Sequence, residues 1–365
     1  MTRQRLTCID FLKGIAIIAV VISHSSLAIS GISPYVPAIT GLGARGCQLF
    51  FILSGYTSYL SWTNTNSPKP IQFYKRRLLS VIPGYYLILL IWQLLCRFFP
   101  TEYLLPASAY TIGVNMTFLH GILTTRTDAV AGGWYMGALM GLYLVFPFIF
   151  KFVIKIYEKS KKILWITIFY ISLLTISLII NVLFTILWDG NLKNIFNQSY
   201  TGLICQLAPY ITGIILAHQH THNELPRTNR YTVSLTFISL FIALYSSFAS
   251  WVNIRLVVYT WSFFFYWLAV ITLNNYDKIQ NFAFTTPINT WGKSSYGIYL
   301  THMLFSIYII PLLVSCCNEL LHISNIFIAY CLTFCIYIPV CFYSGLLFEK
   351  VMFLLRNIFI RTGKH

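Results

Sequence analysis

About ten long apolar runs, separated by short polar breaks, make up most of this sequence, and that pattern excludes a water-facing fold. The runs lie at about 9–30, 46–62, 77–98, 132–154, 163–187, 200–218, 231–250, 254–274, 291–315 and 323–354. Most approach the roughly 20 residues that a helix needs to cross the hydrocarbon core of a bilayer. In lipid, every backbone N–H and C=O must be satisfied internally, which selects helices over open strands. The expected fold is all-α: a polytopic membrane bundle of about ten transmembrane helices, read as a single domain over 1–365. Charged residues are 9% of the chain, far below the roughly 25% of a soluble domain. Segment 107–124 is apolar but short and glycine-interrupted, and reads as re-entrant or interfacial. The run after MTRQR is long and has no A-x-A-like cleavage site, so a first helix is expected there rather than a removed signal peptide.

Charge placement orients the bundle. With the N-terminus inside, all but Arg45, Arg97, Arg126, Lys193 and Arg255 of the 25 Lys and Arg fall on the inner side. The positive-inside rule then puts both termini in the cytoplasm, in a plasma or inner membrane. The net charge of +16 is dispersed over loops rather than gathered on one polar face, which argues against nucleic acid as a partner. The nine cysteines form no CxxC pair. Cys331 and Cys335, which share a helix face, read as small packing residues, and no metal site emerges. His218, His220 and His222 form an HQHTH run at a span end, read as a solvated cytoplasmic loop. The sequons at Asn115 and Asn197 carry little weight. No internal repeat and no matched pair of broken spans marks a transporter.

Ionisable groups inside spans are costly and point to function. The first run, IDFLKGIAIIAVVISHSS, carries Asp10, Lys13 and His24. Lys13 and His24 are eleven residues apart, which at 100° per residue leaves them about 20° from alignment and about 16 Å apart along the axis. Asp10 falls about 40° from the same line. An acid, a base and an imidazole thus share one stripe, which must face the bundle interior. In the second run, Gly43, Ala44 and Gly46 near one end, and Ser54 and Gly55 near the other, permit close helix approach. Lys75, Arg76 and Arg77 sit at the start of the third run. They serve topology, and the guanidinium groups of Arg76 and Arg77 also suit phosphate.

Several segments, in order, resemble the membrane acyltransferase-3 family of bacterial surface-glycan O-acyltransferases. They are IDFLKGIAIIAVVISH, GCQLFFILSGY, FYKRRLLSVIPGYY, WYMGALMGLYLVFP and WGKSSYGIYLTHMLF. The chain departs from the family pattern at Ser80, where a second Arg is common, and at Leu139, where many members carry Glu. The resemblance implies transfer of an acetyl or similar group from acetyl-CoA or another acyl-CoA to a hydroxyl of a glycan or lipid-linked sugar, with no permanently bound cofactor. It implies His24 as general base, with Asp10 or another neighbour orienting or charging it. Lys13, Lys75, Arg76 and Arg77 would bind the donor, and His302, Trp134, Tyr143 and His120 the acceptor. The lipid bilayer is the remaining partner, and a homo-oligomer is compatible with the pattern. Two rival readings stand beside this one: a glycan-precursor transporter or flippase with a His24/Asp10 proton relay, and a non-catalytic scaffold.

Overall fold

The structure is a computed structural model that describes residues 7–27, 29, 31–64, 69–100, 106–121, 128–160, 171–172, 175–176, 179, 200–249, 252 and 254–362. Helix α1 (Thr7–Ser23) leads into short α2 (Tyr35–Thr40), a 3-10 turn (Gly41–Arg45) and α3 (Gly46–Thr63). Then follow α4 (Pro70–Phe98), α5 (Ala109–Met116), a 3-10 turn (Leu119–Gly121) and α6 (Trp134–Ser160). The second half holds α7 (Leu203–Thr221), α8 (Arg230–Phe248), α9 (Ile254–Ile279) and α10 (Thr285–Lys293). Helix α11 (Ser295–Leu304) runs through a π-turn (Phe305–Ile309) into α12 (Ile310–Glu319), and α13 (Ile326–Thr362) closes the chain.

Local chemistry explains several boundaries. Pro70 opens α4, where its missing N–H has no helical partner to lose. Ser108 caps α5 by accepting from the Thr111 N–H, and Asn229 with Thr232 forms a capping box on α8. Pro83, Pro147, Pro209 and Pro339 lie inside helices, as bundle packing allows.

Seven helical stretches among the described residues are long and apolar enough to cross a membrane. They are Tyr35–Thr63, Pro70–Phe98, Trp134–Glu158, Arg230–Phe248, Ile254–Ile279, Ser295–Glu319 and Ile326–Leu355. Helices α1 and α7 fall outside this set, α1 because it is only 17 residues long. Both are largely enclosed by neighbours. An enclosed helix does not need an apolar surface all round, so α7 can carry Gln206, His218 and Gln219. The run expected at 163–187 lies largely outside the described residues.

Small residues set the closest crossings. A Cβ added to Gly43 would collide with Ala19 O, and one on Gly46 with Ala16 O, so the start of α3 lies directly on α1. Gly55 faces Tyr210 O and Gly213 faces Ile52 O, which seats α7 on α3. Gly14 faces Ile288 O and Gly292 faces Asp10 O, which locks α10 onto the other end of α1. Helix α1 is therefore flanked along its length.

Within segment 107–124, expected to be re-entrant or interfacial, α5 packs against α4. Tyr85, midway along α4, donates to Asn115 Oδ1 at 2.9 Å, and Tyr86 donates to Met116 O at 2.7 Å. The backbone N–H of Ala129 donates to the same Asn115 oxygen, so the sequon asparagine is a buried structural staple.

Candidate active site

The histidine ending α1 stands at the centre. The chain leaves the helix at His24 because neighbouring side chains compete for its last carbonyls. Ser23 Oγ donates to Val20 O at 2.7 Å, Ser25 Oγ to Ile22 O at 2.8 Å, and His24 Nδ1 to Val20 O at 2.8 Å. His24 is thus in the turn just past α1, not on a helical stripe continuing to residue 30. A carbonyl can only accept, so Nδ1 carries the proton and Nε2 presents a lone pair. The helix C-terminus also favours an imidazolium should one form.

His302 on α11 lies against it. The ring centroids are 5.0 Å apart with planes at 62°. His302 is 1% exposed and donates from Nδ1 to Tyr299 O at 2.7 Å, and its buried Nε2 has no hydrogen-bond partner among the described residues. Ser306, on the π-turn one helical turn further, donates to His24 O at 2.5 Å. Turns of π geometry recur at functional sites, and this one ties the two histidine-bearing elements together. Ser25 hydrogen-bonds Tyr330 of α13 at 2.9 Å, which braces the same turn.

A cavity of about 290 Å³ approaches this pair from the end of α1 that carries Lys13. Its wall includes Lys13, Arg77, Ser54, Tyr135, Tyr299 and Glu349. The Tyr299 ring lies 5.6 Å from that of His302 and 5.1 Å from that of Tyr135. Tyr299 OH donates to Gly132 O at 2.5 Å, an arrangement helped by the positive φ (74°) that glycine adopts readily. Cavity, Tyr299, His302 and His24 thus form one continuous series.

The other expected residues separate. Asp10 is buried near the opposite end of α1, fourteen residues and ~21 Å from His24. The orienting contact expected of it is made by Val20 O instead. Of the basic trio, Arg77 lines the cavity, Arg76 donates to Ser61 O at 3.2 Å, and Lys75 is exposed. Tyr143 belongs to the Lys13 side, where its ring supports the Arg77 guanidinium at 4.9 Å. Trp134 packs on Tyr200 at 5.2 Å, away from the cavity wall. His120 is buried, stacked on Tyr85 and donating from Nε2 to Gly133 O at 3.1 Å, so it contacts the Gly132–Gly133 turn rather than His24. His218, expected in a solvated loop, is buried against Tyr59 because the close α3–α7 crossing carries the helix end inward, whereas His222 is exposed.

Glu349 is the residue that the sequence reading misses. It accepts from the Gly297 N–H at 3.0 Å and lines the cavity with Lys13 and Arg77. The available signal was a lone acid within the apolar run 323–354. The two departures from the family pattern, Ser80 and Leu139, also lie on this wall.

A family model described as an acyltransferase domain matches residues 6–348. Curated relatives include the O-acetyltransferase OatA of Staphylococcus aureus strain NCTC 8325 and that of strain COL. Each is 23% identical over 325 residues, covering 80% of this chain and 49% of the relative. The chain spans about half the length of the curated relatives it matches. No solved structure matches it.

Proposed function

The chain belongs to the acyltransferase-3 family, and from that premise we propose that it transfers an acyl group, acetyl in the simplest case, from cytoplasmic acyl-CoA to a hydroxyl of a surface glycan or its lipid-linked precursor. The observation that carries this reading is the His24–His302 pair standing beyond a cavity lined by Lys13 and Arg77. The cations suit the phosphates of the donor. The charge-based orientation puts them on the side where acyl-CoA resides.

The chemistry follows from protonation. A sugar hydroxyl is a weak nucleophile at neutral pH, and a neutral imidazole with a free Nε2 can take its proton during attack. As the hydroxyl proton moves to His24 Nε2, the oxygen bonds to the acyl carbon and the C–S bond breaks. The thiolate then takes the proton back from the imidazolium and leaves as the thiol. The C-terminal end of α1 and Val20 O stabilise the transient positive charge. His302 Nε2 is placed to accept from the incoming hydroxyl or a bridging water. Lys13 and Arg77 hold the donor so that its extended arm lies along the cavity past Tyr299.

The test is mass spectrometry of surface glycans from cells whose only copy is wild type or His24→Ala, with membrane protein levels measured in parallel. The expected result is loss of the acyl group with the glycan retained. Unchanged acylation by stable His24→Ala protein rejects His24 as the base. Loss of the glycan itself points to transport.

A further inference from the structure

Beyond Arg77, on the side away from the two histidines, a lateral groove of about 480 Å³ opens between α4, the end of α5 and α6. Leu78, Ile82, Met116, Phe118, Met140 and Leu144 form its apolar wall. Leu78, Met116 and Leu144 are exposed at the bundle surface, where lipid tails run. Arg77 lines both this groove and the donor cavity.

Depth identifies the kind of ligand. The α4 residues that line the groove run from Ile71 to Ile82, eleven residues or ~16 Å along the helix axis. Half of a hydrocarbon core of about 30 Å is about 15 Å. The groove therefore has the depth of one leaflet, which fits the acyl chain of a lipid from that leaflet.

Charge identifies its head. The Arg77 guanidinium lies against the adjoining rings of Phe73 and Tyr143, at 5.3 and 4.9 Å from their centroids. Its Nε and Nη2 are buried and have no hydrogen-bond partner among the described residues. Buried donors without acceptors are costly, and a phosphate oxygen would satisfy both in the fork geometry of Arg. Lys69 and Lys75 are exposed close by in sequence. Clusters of this kind beside a membrane helix attract anionic lipid.

We propose that the groove is a specific site for an anionic phospholipid of the leaflet on the Lys75 side, with its phosphate on Arg77 and one acyl chain along Leu78, Ile82 and Leu144. Arg77 is then fixed between lipid and donor cavity. The site shares Arg77 with the acyl-transfer reading, but its groove and its test are separate from that reading.

The test uses the full chain, purified in detergent and exchanged into equimolar phosphatidylglycerol and phosphatidylcholine of the same chain length, with native mass spectrometry counting retained lipid. One phosphatidylglycerol per chain is expected, favoured at least tenfold, and inorganic phosphate is expected not to displace it. Leu144→Trp and Leu78→Trp fill the groove from opposite walls and are expected to remove that lipid. Leu90→Trp, at an exposed position outside the groove, is expected to keep it. Thermal unfolding in detergent identifies which groove variant is folded. Equal retention of the two lipids, or wild-type retention by a folded groove-filling variant, overturns the proposal.

Discussion

The imidazoles of His24 and His302 meet edge to face at 5.0 Å, although 278 residues separate them in the chain. Each gives its Nδ1 proton to a backbone carbonyl of its own segment, which leaves Nε2 as the basic atom on both. Two imidazolium charges at that distance would repel by about 3 kcal/mol at an effective dielectric of 20.

That coupling predicts non-additive mutants. His24→Ala is expected to lower acyl transfer by roughly 10²–10⁴-fold, the usual contribution of a general base. His302→Ala is expected to cost less, and the double variant little more than His24→Ala alone. Donor-dependent transfer in membrane vesicles measures all three. A double variant with the full product of both losses would mean that the two residues act independently.

Ser306 positions His24 through the backbone and does not touch the reacting groups. A hydrogen bond of this kind contributes about 0.5–1.5 kcal/mol, so Ser306→Ala is expected to lower kcat about 2- to 10-fold. The KM for donor is expected to stay unchanged and Ser306→Thr to recover part of the loss. A donor KM that rises with Ser306→Ala would show a wider rearrangement.

The basic trio separates by geometry. Arg77→Gln is expected to raise the KM for acyl-CoA by about tenfold, the equivalent of about 1.4 kcal/mol, whereas exposed Lys75→Gln is expected to change it little. Arg77→Lys is expected to restore only part of the affinity, because an ammonium lacks the planar fork that rests against Phe73 and Tyr143. Initial rates against acyl-CoA concentration decide it.

Helix crossings without room for a methyl predict folding defects. Gly55→Ala and Gly213→Ala insert a Cβ against a backbone carbonyl of the partner helix and are expected to cost about 1–3 kcal/mol. Gly41→Ala meets open space with ordinary φ and is expected to be silent. Thermal unfolding in detergent, compared across the three, measures the difference.

Orientation is tested by reporters placed at the two ends of α4. A fusion after Asn64 is expected on the cytoplasmic side and one after Pro106 on the outer side. Exchange of the two signals would invert the direction of transfer.

Much of the fold was legible because bilayer physics leaves few choices. A long apolar run must become a helix, and Gly43, Gly46 and Gly55 announce close crossings before any partner is known. The partners were not legible. Nothing local to Gly55 names Tyr210, and nothing in Gly14 names Ile288. Helix periodicity also overextended α1: it aligned His24 with Lys13 but did not register that Ser23, His24 and Ser25 would turn their side chains onto the last carbonyls and end the helix.

By itself, then, the sequence determined the all-helical membrane class, the enclosure of α1 and the resemblance that pointed to His24, His302 and Arg77. These follow from composition, from a 3.6-residue period and from short ordered motifs, all of which are properties of neighbouring residues. Only the tertiary structure decided that His302 meets His24, that Tyr143 supports Arg77 on the Lys13 side, and that Glu349 joins the cavity wall. Each of these depends on which helices pack together, and interhelix packing is set by the shapes of side chains far apart in the chain.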